Sequence, residues 1–104
     1  MLRLVDRVFG EGSLHDRDDP APLRVGYELD VYREWAVHGS EMTPGDWVIE
    51  GHLIAPADRL AALAGHATPF RLAMDDGRHL EVFVLDPHGT VVNVEGTAFT
   101  HPAR

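Results

Sequence analysis

The 104-residue sequence contains no cysteine, which excludes thiol nucleophiles, thiolate metal sites, redox pairs and a disulfide framework. Lysine is missing as well, all nine basic residues being arginine. That removes a phosphate-loop lysine, a Schiff-base lysine and a lysine general base. Arginine in place of lysine, beside abundant Ala, Gly, Pro and Val, matches the codon bias of a GC-rich genome. Serine occurs only at Ser13 and Ser40, neither of them in a strained strand-to-helix elbow. No apolar run approaches the length of a membrane span. Charges at Arg3, Asp6 and Arg7 interrupt the stretch a secretory leader would need, so a cytoplasmic protein is expected. An excess of positive charge is also lacking. The net charge is −8 and the arginines are dispersed, which argues against nucleic acid as a partner, because phosphate attraction needs a basic face.

What remains is an ordinary globular composition, 44% apolar and 25% charged, at a length that supports one domain over residues 1–104 with a core needing no staple. The clearest pattern runs from Phe70 to Phe99. Asp75-Asp76-Gly77 and Pro87-His88-Gly89 each place glycine third in a three-residue connection, where a type I turn is followed by a left-handed backbone. The alternation around them predicts a three-stranded meander reaching to about Thr97. Its first register sets Leu72 opposite Leu80, Phe70 opposite Val82, and Arg71 opposite Glu81 as a favourable charge pair. The second sets Val84 opposite Val92 and Val82 opposite Val94. One face is then Phe70, Leu72, Met74, Leu80, Val82, Val84, Val92 and Val94. The other carries Arg71, His79, Glu81, Asn93 and Glu95, with an apolar group of Phe83, Leu85 and Val91 that needs a cover.

Upstream, Leu2 to Phe9 is expected as a strand with Leu2, Leu4 and Val8 on one side. Gly10 to Leu23, with its two glycines, two prolines and the cluster His15-Asp16-Arg17-Asp18-Asp19, reads as a long exposed loop. Arg24 to Val37 alternates strictly, placing Val25, Tyr27, Leu29, Val31, Trp35 and Val37 on one face. A turn-rich segment, His38 to Asp46, leads to a strand at Trp47 to Ile54, bent or bulged at Gly51. Pro56 to Ala64 forms a short helix bounded by proline at its start and Gly65 after its end, with Leu60, Leu63 and Ala64 as its apolar stripe. The expected fold is therefore mainly β, a small antiparallel barrel or strongly twisted sheet of about six strands. Its one helix lies between strands 3 and 4, an element order that resembles an OB-like small barrel with a strand added. A two-layer sheet with the helix over Phe83, Leu85 and Val91 is the rival.

No segment names a reaction. Gly10-Glu11-Gly12-Ser13 is followed by neither a third glycine nor a helix, and reads as a flexible turn rather than a dinucleotide fingerprint. Asp16, Asp18 and Asp19 lack the glycine and glutamate of a calcium loop, so a solvated acidic loop is the simpler reading. Glu50 and His52 share a strand face at i, i+2 spacing. A metal site there needs a third ligand such as His38, His79 or His101, and scattered surface histidine is the simpler reading, for a metal and for an acid–base pair of Glu50 with His52 alike. Tyr32, beside Arg33 and flanked by acids, reads first as a half-exposed strand residue and second as a ligand-stacking one.

The composite expectation is a non-enzymatic binding or assembly domain, without cofactor or metal, whose partner is a second copy or another protein. Speculative ligand residues are Tyr32, Arg33, Glu50 and His52, and Phe83, Leu85 and Val91 are the expected interface. A metal-dependent or acid–base enzyme using Glu50 and His52 is the alternative, and single-stranded nucleic-acid binding is a weaker one.

Overall fold

The computed structural model describes residues 1–102. The strands are β1 (Leu2–Asp16), β2 (Asp19–His38), β3 (Glu41–Ile54), β4 (Phe70–Met74), β5 (His79–Val84) and β6 (Thr90–Asn93), with one helix, α1 (Ala57–Leu63), between β3 and β4. Every pairing is antiparallel. The order β1-β2-β3-β6-β5-β4 returns to β1 through β4, giving a closed, barrel-like ring. Alternation supplies the core: Val25, Tyr27, Leu29 and Val31 of β2 point inward with Ile49, Leu53, Phe70, Leu72, Leu80 and Val82. No helix among the described residues is long and apolar enough to cross a membrane.

The first meander turn has the expected register, with Phe70, Arg71 and Leu72 opposite Val82, Glu81 and Leu80. Gly77 takes φ 96°, and Met74 N donates to Arg78 O at 2.8 Å, closing a three-residue loop. The second turn differs by one residue. Val84 faces Val91, Phe83 faces Val92 and Val82 faces Asn93. The cause is Asp86, whose Oδ1 accepts from His88 N at 2.9 Å and Thr90 N at 3.2 Å. Those bonds draw Asp86 into the loop, and Leu85 N closes it on Thr90 O at 2.7 Å. The connection therefore has four residues rather than three, and a one-residue slip exchanges the faces of a strand. Val91, expected outside with Phe83 and Leu85, is a core residue at 1% exposure. Asn93 turns inward with it, while Val92 and Val94, expected in the core, are only half-buried.

The predicted loop from Gly10 to Leu23 is instead strand. β1 and β2 pair from Leu2↔Glu34 to Asp16↔Asp19, leaving Arg17 and Asp18 as the turn. Asp18 N donates to Asp16 Oδ1 at 3.0 Å, so Asp16 shapes the hairpin tip, while the Asp19 side chain lies outside what the structure describes. Nor is Gly10-Glu11-Gly12-Ser13 a flexible turn. At Gly12, β1 meets Met74 of β4 and the ring closes; a Cβ there would lie 2.5 Å from Ala73 O, so the seam requires glycine. Gly51 answers a similar need. The register runs unbroken through Leu29↔Gly51, without the expected bulge, because an added Cβ would overlap Glu28 O.

The helix closes one end of the ring. Leu60 is buried against the β5–β6 turn, where a Cβ on Gly89 would stand 3.2 Å from its side chain and 2.8 Å from Leu53 O. The helix therefore does not cover Phe83 and Leu85, which answers the rival two-layer arrangement. At the other end, residues 94–100 fold across the mouth: Thr100 bridges His79, and Phe99 packs against the core under the Arg78 guanidinium, 4.6 Å from the ring centroid.

Three strands outrun the ring. β4 joins β1 only at Gly12–His15 and β6 joins β3 only at Glu50–His52, so the far halves of β1, β2 and β3 project as a three-stranded blade. The molecule measures 50 × 33 × 23 Å along its principal axes. The strand starting at Glu41 confines the predicted turn-rich segment to Gly39 and Ser40. A register shift at Val5 rotates β1, leaving Leu2 and Leu4 on the outer face and Val8 in the core. They do not share one side as the alternation suggested. A second shift, where Arg33 faces Trp47 and Trp35 faces Pro44, puts the extra residue in β3 and leaves the alternation of β2 intact, so Trp35 keeps to the inner face with Arg33 but beyond the ring. Trp35 is only half-buried and Val37 is exposed, although both were expected inside.

Candidate functional site

Strand registers assemble two rows on the outer face of the ring. Arg7 of β1, Asp30 of β2 and Glu50 of β3 lie side by side, and Phe9, Glu28, His52 and Thr90 form the next row. Between them is an open groove of about 490 Å³, with Gly51 in its lining and with Phe9 and Leu85, 67% and 57% exposed, beside the charged residues. Arg7 Nε reaches Asp30 Oδ1 at 3.3 Å, so one of the three carboxylates is matched by a cation. Glu28 and Glu50 leave the groove acidic. Its geometry suits a cationic group with an apolar stem more than an anion.

The predicted pair Glu50 and His52 thus stands together in a groove, joined by Arg7, Glu28 and Asp30. Glu28 and Asp30 come from the outer face of β2, between Phe9 and Arg7 of β1 and His52 and Glu50 of β3. The histidines suggested as further ligands do not join them. His38 is at the blade tip opposite Glu41, His79 pairs with Thr100, and His101 follows that bridge. Among the described residues, no three of His, Asp and Glu come together as a metal site.

Tyr32 and Arg33 are separated by the pleat. Tyr32 lies on the outer face between Leu4 and Val48, half-buried rather than free to stack. Arg33 lies on the inner face opposite Trp47, its guanidinium 4.3 Å from the indole centroid. Arg33 Nε and the neighbouring Trp35 Nε1 are buried without a hydrogen-bond partner. Phe83 is half-buried and Leu85 exposed on the outer face, where Val92 rather than Val91 accompanies them.

A second cavity, about 460 Å³, opens at the mouth between β1 and the C-terminal segment, lined by Val5, Asp6, Val31, Trp47, Arg78, Ala98 and Phe99. Arg78 is fixed there by Asp76, its Nε and Nη2 both donating to Oδ2, at 2.9 and 2.7 Å. Those bonds hold the Asp76 carboxyl below its ordinary range. Beneath the mouth, burial raises the Tyr27 phenol. The sequence signal for this site was the short Asp76-Gly77-Arg78 span, but its meeting with Trp47 and Asp6 depends on ring closure. A further clamp lies outside the ring, where Arg24 grips both oxygens of Asp75 at 2.9 and 2.7 Å and also donates to Ser13 Oγ at 3.1 Å. It ties β2 to the β4–β5 turn across β1.

No protein-family model, no curated protein and no solved structure matches this chain.

Proposed function

We propose that this chain is a non-catalytic binding or assembly domain whose first partner is a second copy of itself. The observation that carries it is the blade, where Met1, Leu2, Leu4, Val5, Val37 and Met42 are all at least 41% exposed. Apolar side chains gathered on one projection of a small domain mark an interaction surface. The ring behind it, with helix and C-terminal segment closing its ends, supplies a rigid mount. Its element order supports an OB-like reading with one added strand. A cytoplasmic setting belongs to the same proposal.

Light scattering coupled to size exclusion, at tens of micromolar, tests it with native protein, Leu4→Glu and Phe83→Glu. Native dimer or higher oligomer is expected, lost in Leu4→Glu and kept in Phe83→Glu. A native monomer refutes self-association; loss only in Phe83→Glu moves the interface to Phe83 and Leu85. The groove favours one second reading, an acid–base or metal-dependent site built on Glu50 and His52. Thermal melts with divalent metals, in native protein and His52→Ala, distinguish it: a large stabilisation abolished by the substitution would favour the enzyme.

A further inference from the structure

Both outer strands of the blade have an open edge, and they are not equivalent. The β3 edge contains Pro44, which has no N–H to offer a new neighbour. The β1 edge from Leu2 to Gly10 has no proline and, among the described residues, no strand beside it. The Arg7 N–H on this stretch donates to Asp6 Oδ1 at 2.8 Å, and no neighbouring strand takes up the remaining edge groups next to exposed Leu2, Leu4 and Val5. Such an edge is a template for another strand.

The charges specify which strand. The register shift at Val5 puts Arg3 and Asp6 on the same, inner face, since Arg3 pairs with Arg33 and Asp6 with Val31. Arg3 stands beside a second guanidinium, and no carboxylate forms a salt bridge with Arg3 or Arg33 among the described residues. Without the shift Arg3 and Asp6 would occupy opposite faces, and no two-fold pairing of β1 with itself could set one against the other.

We propose that two copies associate by antiparallel pairing of their β1 edges over Leu2–Arg7, about a two-fold axis near the Leu4–Val5 peptide, with Arg3 of each copy facing Asp6 of the other. This pairing rests on the self-association proposed above and names its surface. The axis brings two opposite-charge contacts to the inner face and sets Leu4 of one copy beside Leu4 of the other on the outer face. The overlap ends near Val8, short of Gly12, where β4 takes up the edge of β1. The two blades become one six-stranded sheet, with a ring at each end.

Charge reversal tests the arrangement, because Arg3 and Asp6 are exposed and can be exchanged. Sedimentation equilibrium is measured on the native protein, Arg3→Asp, Asp6→Arg and the double variant, with circular dichroism to establish the fold of each. Either single reversal creates two like-charge contacts and should weaken the dimer roughly tenfold or more, while the double variant regains most of the loss. Oxidation of Leu4→Cys in this otherwise cysteine-free chain supplies a separate readout. It should give a covalent dimer, and Val37→Cys should not. A native dimer indifferent to all the reversals, or one whose double variant stays as weak as the singles, overturns the β1 pairing and leaves self-association standing. A native monomer overturns both.

Discussion

Replacing Asn93 with alanine should cost this domain a large share of its stability without touching its surface. Asn93 is 6% exposed, the only buried polar side chain among the described residues. Its Oδ1 accepts from Ile49 N at 3.0 Å, and its Nδ2 donates to Trp47 O at 3.1 Å and Thr97 O at 2.7 Å. One amide thus joins β3, β6 and the segment that closes the mouth. Each hydrogen bond contributes about 1 kcal/mol net, and buried groups left unpaired cost more, so the loss should be about 3 kcal/mol. That is a substantial fraction of the roughly 5–15 kcal/mol available to a domain of this kind. It corresponds to a fall in Tm on the order of 12–24 °C. Urea denaturation measures the cost, and amide exchange locates it: the Ile49 N–H should lose protection out of proportion to Leu72 on the far side of the ring. A cost below about 1 kcal/mol, or unchanged Ile49 protection, would refute the role assigned to Asn93.

Gly12→Ala should cost about 1–3 kcal/mol, because its Cβ would press on Ala73 O at 2.5 Å; exchange should quicken first along the β1–β4 seam. Leu60→Ala removes the side chain that plugs the helix end and should cost about 2–5 kcal/mol in urea unfolding. The Asp76 carboxyl is held below its ordinary 3.8 by Arg78. The unfolded chain therefore takes up the proton first as pH falls, and the pair's contribution is full above the unfolded value and lost as pH drops through the folded one. Thermal melts of native protein and Asp76→Asn should accordingly converge in acid. His15 is lowered from 6.5 by burial and then by Arg71 and His79. Protonation there favours the unfolded chain, and His15→Gln should lessen the stability lost as pH falls below 6.5.

Where the determining contacts are local, the residues declare the structure. Asp75-Asp76-Gly77 specifies its turn and, through it, the Arg71–Glu81 register; Pro56 and Gly65 bracket a helix observed at Ala57–Leu63. The segment Asp86 to Gly89 announces a turn with equal clarity, yet loops of three and four residues use the same chemistry. Apolar alternation favoured Val92 and Val94 inside. Buried backbone groups of β3 and the C-terminal segment needed a partner that valine cannot be, and Asn93 supplied it. Gly10 to Leu23 resembled a loop for a related reason: glycine and proline weaken an isolated strand, but Gly12 is what lets β4 approach β1.

Glu50 and His52 could be placed together from spacing on one strand. Arg7, Glu28 and Asp30 reach them only through the registers of β1, β2 and β3, which are set by pairs far apart in the chain. The sequence by itself determined the β class, the single helix, the first meander turn and the chemistries that cysteine and lysine would have allowed. Only the tertiary structure decided the closure of the ring, the second turn's register, the acidic groove and the blade, because each depends on which distant backbone groups and faces are left to be satisfied once the nearer pairs have formed.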